Sequence, residues 1–135
     1  MDRTILRQEL IRDEGLELKP YRCTSGKLSI GVGRNIEDRG ISKATAMQML
    51  DEDFDIIETE LDRAIPWWRT LSEARQRALI NMAFMGVPRL LGFKKMLTAM
   101  QAGAFERAAD EALDSKWAAQ VGARSQRVAK LIREG

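Results

Sequence analysis

Only one stretch of this chain repeats with the period of a strand. From Tyr21 to Gly33, "YRCTSGKLSIGVG" sets Leu28, Ile30 and Val32 against Ser29, Gly31 and Gly33, the two-residue alternation of a pleated ribbon with one apolar face and one small, polar face. Elsewhere apolar residues recur every three or four positions, so the chain reads as a helical bundle with one small sheet inserted. Asp2 can cap a first helix carrying Ile5, Leu6 and Leu10, Gly15 supplies its stop, and Pro20 excludes its continuation. Glu14 therefore falls in the last turn of a helix, just before the sheet.

The ribbon's turn sets which side chains share a face. A three-residue Thr24-Ser25-Gly26 loop, with the glycine left-handed, puts Cys23 opposite Lys27 and Tyr21 opposite Ser29. Cys23 and Ser29 then lie on one face. A two-residue Ser-Gly turn would separate them, because a one-residue slip reverses every side chain.

Ser42 can cap a long helix carrying Ala46, Met47, Leu50, Phe54, Ile57, Leu61 and Ala64, ended by Pro66. Seven acids between Asp51 and Asp62 fall mainly on its solvent side. "TLSE" predicts a capping box of Thr70 with Glu73, opening a core helix that runs to Gly86. Trp67 and Trp68 after Pro66 read as a corner of the core. Shorter helices follow around "PRLLG", "FKKMLTAMQAG", "FERAADEALDS" and "KWAAQVG", and "ARSQRVAKLIRE" closes the chain. The expected organisation is one domain, 1–135, with a sheet lobe of about 16–41 and a helical lobe of about 42–135 that includes the first helix.

Composition narrows the chemistry. With 44% apolar and 31% charged residues the chain is ordinary for a globular protein. It has no histidine, which excludes Ser-His and Cys-His nucleophile pairs and His-containing zinc sites. Acid-base work is left to carboxylates, the thiol, tyrosine or lysine. One cysteine allows no internal disulfide, and the N-terminus has neither a signal-peptide core nor an apolar run of spanning length. The expectation is a protein made in the cytosol without stable membrane insertion. Five basic residues and no acid lie between Lys116 and Arg133, which by default form a solvated helix face.

Taken singly, the candidate residues have plain readings: Glu14 as a solvated carboxylate, Cys23 as a small packed group, Ser29 as a strand hydroxyl. Glu14 has a second reading. A helix C-terminus and the neighbouring Asp13 both disfavour its anion, as suits a proton donor. Glycines 31 and 33 are packing glycines, or let a ligand approach the strand.

The joint spacing is more specific. Glu14, eight residues, Cys23, five residues, Ser29 resembles the Glu, Asp or Cys, Thr pattern of the phage-type lysozymes (endolysins) of glycoside hydrolase family 24. "DEGLELKPY", "SIGVGRN", "ALINMAF", Gly92-Phe93 and "SKWAAQ" with "ARSQRV" are similar to that family as well, over nearly the whole chain. The resemblance implies a lysozyme-like, mainly α, α+β fold and hydrolysis of the β-1,4 bond between N-acetylmuramic acid and N-acetylglucosamine in peptidoglycan, for host cell lysis. It implies Glu14 as general acid, Cys23 as the group that holds or activates water, and Ser29 in the place of a threonine that helps place that water. Tyr21, Gly31, Trp117, Gln120 and Arg124 match substrate-binding positions, with Arg124 in the place of a basic residue near the acid. Inverting hydrolysis needs its acid and base roughly 6.5–9.5 Å apart, and a helix end and a neighbouring hairpin can hold such a pair across a cleft. With no histidine nearby, Cys23 is expected to stay largely a thiol near its usual pKa of about 8.5 and to act on water, not as a covalent nucleophile. No cofactor and no metal are implied. The expected state is a monomer that waits in the cytosol for a membrane lesion and then acts on the wall in the periplasm.

Three features depart from the family. Ser29 lacks the threonine methyl. The connection from Asn35 to Ser42 is short, predicting a reduced sheet lobe. Phe84 and Met85 are adjacent where family members carry a polar residue between them, a loss that turns a continuing helix by about 100°. Either Gly86 absorbs this as an earlier stop, or a polar cleft contact is gone. Two other readings follow: a peptidoglycan-binding module of the same fold with impaired catalysis, and a small helical nucleic-acid-binding protein using Lys116 to Arg133.

Overall fold

The first helix forms as its cap predicts. In the computed structural model, which describes every residue from Met1 to Gly135, α1 (Arg3–Glu14) begins at Asp2, whose carboxylate accepts the N–H groups of Thr4 and Ile5 at 2.8 and 3.2 Å. Gly15, at φ +80°, ends it and returns its N–H to the Ile11 carbonyl at 2.8 Å. The chain divides into two compact units, Met1–Met49 and Leu50–Gly135.

In the first unit α1 is followed by an antiparallel sheet of β1 (Glu17–Arg22), β2 (Leu28–Gly31) and β3 (Arg34–Asn35), in that order. Tyr21 pairs with Ser29, the Cys23 N–H reaches the Lys27 carbonyl at 3.0 Å, and Gly26 takes φ +81°. This is the three-residue loop with its left-handed glycine. The β1–β2 register slips between Glu17 and Tyr21, the stretch holding Pro20, which has no N–H to give a ladder.

Two elements were not anticipated. β3 has two residues, too few to display a period, and α2 (Ile36–Arg39) is a single turn in what reads as a plain connection. Asn35 closes the strand and caps that turn, accepting the Asp38 N–H at 3.1 Å. The small, polar face holds the buried residue, Ser29 at 2% exposure, while Leu28 and Ile30 are half-buried and Val32 is exposed. The one helix packed on β2 and β3 within this unit is α2, too short to cover an apolar face.

α3 (Lys43–Ala64) starts at Ser42, whose hydroxyl accepts the Thr45 N–H, and runs from the first unit into the second. Its acids face solvent as expected, but of its apolar stripe only Ile57 and Leu61 are buried. After Pro66 a one-turn 3-10 helix, Trp68–Thr70, buries Trp68 in the core. The Trp68 indole N–H donates to the Asp62 carboxylate at 2.7 Å and Arg69 donates to it at 2.6 Å. Led by Arg69, these donors hold the Asp62 carboxyl below its usual range.

α4 (Glu73–Ala83) corrects two expectations. Its cap is Ser72, which accepts the Arg75 N–H at 3.3 Å; the Thr70 hydroxyl instead donates to the Trp67 carbonyl, and Glu73 pairs with Arg77. The helix also stops at Ala83, short of Gly86. The Met85 and Gly86 N–H groups fold back onto the Met82 and Ala83 carbonyls at 3.3 and 2.8 Å, and Gly86 takes φ +111°, a conformation that side chains disfavour. The chain thus leaves α4 through a turn at Gly86. Met85 still packs against the core, while Phe84 turns outward.

Five short helices complete the unit: α5 (Val87–Leu91), α6 (Lys94–Gln101), α7 (Phe105–Leu113), α8 (Lys116–Val121) and α9 (Ala123–Glu134). α9 packs on α4, α7 and α8, and the fully buried Ala78, Ala108, Ala109 and Ala112 suit close approach of their helices. Leu61, Leu79, Met82, Leu90, Met100 and Ile132 fill the space between. Arg75 lies over the Phe105 ring and donates to the carbonyls of Ile132 and Arg133, satisfying the end of α9. No helix is long and apolar enough to cross a membrane.

Candidate active site

Glu14 is the last residue of α1, exposed, and its carboxylate lies against the turn between β2 and β3. A Cβ on Gly33 would come within 2.8 Å of Glu14 Oε2 and 3.1 Å of its carboxyl carbon. Gly33 also needs φ +63°. The left-handed turn makes this position favour glycine, and a Cβ there would push the Glu14 carboxylate aside. Gly31, at φ +71°, faces open space.

Cys23, the residue after β1, and Ser29 of β2 bring their side chains together. Cys23 Sγ lies 3.0 Å from Ser25 Oγ, and the buried Ser29 hydroxyl donates to the Lys27 carbonyl at 3.2 Å. The thiol is pulled down to about 7. The Ser25 hydroxyl is the largest cause, followed by backbone groups of Ser25 and Lys27; partial burial opposes them, and the Ser29 hydroxyl adds a smaller pull downward. This corrects the expectation of an ordinary thiol, since loop hydroxyls and amides do what a histidine would otherwise do. Ser25 was missed because it reads as a turn residue; its offset of two from a cysteine was the available signal. Tyr21 is half-buried beside this pair, opposite Ser29.

The other candidates lie in the second unit, on two grooves. Trp117 and Gln120 line one of about 570 Å³ with Met85, Arg89, Phe93 and Lys116. Trp117 is 7% exposed and meets Phe93 edge-on at 6.0 Å, so it forms a wall of this groove more than a platform. Arg124 lines a separate, mostly apolar groove of about 550 Å³ with Phe54, Ile80 and Phe84. Its guanidinium donates to Asn81 Oδ1 at 2.9 Å and to the Asn81 carbonyl at 2.8 Å. Asn81, within "ALINMAF", was not singled out from sequence. The basic run is partly neutralised, because Arg133 bonds Glu106 and Asp110 at 2.8 Å each. No group of three or more acidic or cysteine side chains is placed to hold a metal ion.

The family model described as Phage lysozyme matches residues 12–134. The chain belongs to the phage lysozyme family. Glu14, Cys23, Ser29 and the second-unit candidates all fall inside the matched span of this lysozyme-family chain. It is 34% identical to the pre-baseplate central spike protein Gp5 of Enterobacteria phage T4, over 93% of this chain and 27% of that protein. It thus spans about a quarter of that relative's length. Probable T4-type lysozymes 1 and 2 of Dictyostelium discoideum are 26% and 25% identical, with 91% and 96% of this chain and 90% and 94% of those proteins covered.

Proposed function

We propose that this chain is a muramidase that hydrolyses the β-1,4 bond between N-acetylmuramic acid and N-acetylglucosamine in peptidoglycan. The observation that carries the reading is the Glu14 carboxylate seated on Gly33, on the sheet whose first hairpin bears Cys23 and Ser29, in a chain of the phage lysozyme family. Glu14 donates its proton to the leaving oxygen. Cys23, aided by Ser29, holds the water that attacks the opposite face of the sugar, giving an inverted product. A carboxylate at Cys23 would serve the same step. Tyr21 and Gly31 of the sheet, and separately Trp117, Gln120 and Arg124 of the second unit, are the glycan-binding positions of this reading. In this reading the monomer acts in host lysis, held in the cytosol until the membrane is breached and then working on the wall in the periplasm.

Clearing of outer-membrane-permeabilised Gram-negative cells by the purified protein tests the activity. Glu14→Gln should reduce clearing by roughly 10²–10⁴-fold, the usual contribution of a general acid. Its stability should hold or rise by about 0.3–1 kcal/mol, because an anion is removed from a helix C-terminus. Clearing at a near wild-type rate would show that Glu14 is not the acid.

A second reading is favoured by the relation to the T4 spike protein: the same hydrolase works as a module carried on a phage spike. Mass spectrometry of purified particles against the free lysate separates the two roles, since a spike module stays with particles and an endolysin does not.

A further inference from the structure

We propose that Ser25 is a positioning residue for Cys23, directing the sulfur through the hydrogen bond between their side chains, so that a thiol can act on water as a carboxylate would. This rests on the reading of Cys23 as the water-activating group.

The loop fixes the pair. Gly26 donates its N–H to the Cys23 carbonyl at 2.8 Å, and Cys23 donates its own to the Lys27 carbonyl at 3.0 Å, so the backbone of the intervening residues is closed at both ends. Ser25 Oγ then stands 3.0 Å from Sγ. The neighbouring hydroxyl is less free, because Ser29 Oγ already donates to the Lys27 carbonyl. The cations at hand are occupied too. Arg22 is bonded to the Gly26 carbonyl and Glu37, and Lys27 pairs with Glu37 and Asp38 of α2, the helix packed on β2. Tyr21, paired with Ser29, is a further titratable side chain beside it. What remains to steady negative charge on sulfur is the Ser25 hydroxyl and the loop's backbone groups, in keeping with a thiol drawn down to about 7.

Because the chain has one cysteine, iodoacetamide alkylation followed across pH reports this thiol alone, on folded protein without substrate. The wild-type midpoint should fall near 7. Ser25→Ala should raise it by about one pH unit or more, while Ser25→Thr, which keeps the hydroxyl, should stay within about 0.3 units of wild type. Circular dichroism confirms that each variant is folded. In wall clearing, the rise of activity with pH should move upward with the alkylation midpoint in Ser25→Ala. In the Cys23→Asp background the same Ser25→Ala change should have little effect. An unmoved alkylation midpoint, or an equal loss in the Cys23→Asp background, would overturn the assignment. Absence of clearing by the wild-type protein would overturn the muramidase reading and Ser25's role in it; the alkylation midpoint, read without substrate, keeps that failure separate from a failure of the Ser25–Cys23 coupling.

Discussion

In Met1–Met49 the sole buried residue is the hydroxyl-bearing Ser29, whereas Leu50–Gly135 holds a continuous apolar core in which Leu61, Leu79, Met82, Leu90 and Ile132 are fully covered. The first unit is organised by what backbone and charge can do: the Asp2 and Asn35 caps, left-handed glycines at loops and turns, and exposed pairs between Arg22 or Lys27 and the acids of α2. The second is organised by volume. Such a difference separates the levers on stability from the levers on chemistry. Packing losses should be felt in the second unit, while in the first a small change of backbone freedom or hydrogen bonding should alter reactivity more than stability.

The largest expected effect is in the core. Leu79→Ala should destabilise the protein by about 2–5 kcal/mol in urea unfolding, with wall-clearing activity per folded molecule near wild type. Gly33→Ala comes next. It should lower clearing roughly 10- to 100-fold, about 1.4–2.7 kcal/mol of transition-state stabilisation, because the new methyl takes the space of the Glu14 carboxylate. Its left-handed φ adds a stability cost of about 1 kcal/mol, which calorimetry would read separately. If Gly33→Ala lost stability alone and kept full activity, the close seat of Glu14 would have no bearing on the reaction. Smallest is Lys27→Ala. Its pairs with Glu37 and Asp38 are solvent-exposed, so the loss should stay within about 1 kcal/mol and shrink at high salt. A loss as large as that of Leu79→Ala would erase the contrast between the units.

The sequence was most legible where a local rule has a single solution. Asp2 and Ser42 as caps, Gly15 as a stop and Gly26 as the left-handed loop residue follow from backbone stereochemistry, and the Tyr21–Ser29 register came with the loop length. What escaped depends on short range or on tertiary placement. β3 and α2 are too brief to show a period. Ser72 won the cap from Thr70 because the chain first makes a tight turn at Trp68–Thr70, which no helical periodicity announces. Glu14, Cys23 and Ser29 were singled out together by motif spacing, whereas the closeness of Gly33 to the Glu14 carboxylate, the link from Ser25 to the thiol and the hold of Asn81 on Arg124 are contacts that only the folded chain displays.

The central claim is the identity of the bond broken, and the chemistry of the new chain ends tests it most directly. Purified Gram-negative sacculi digested with the protein, reduced with borohydride and analysed by mass spectrometry should yield muropeptides ending in reduced N-acetylmuramic acid, released by the wild-type protein and not by Glu14→Gln. Fragments ending in reduced N-acetylglucosamine, or no new reducing ends at all, would contradict the assignment.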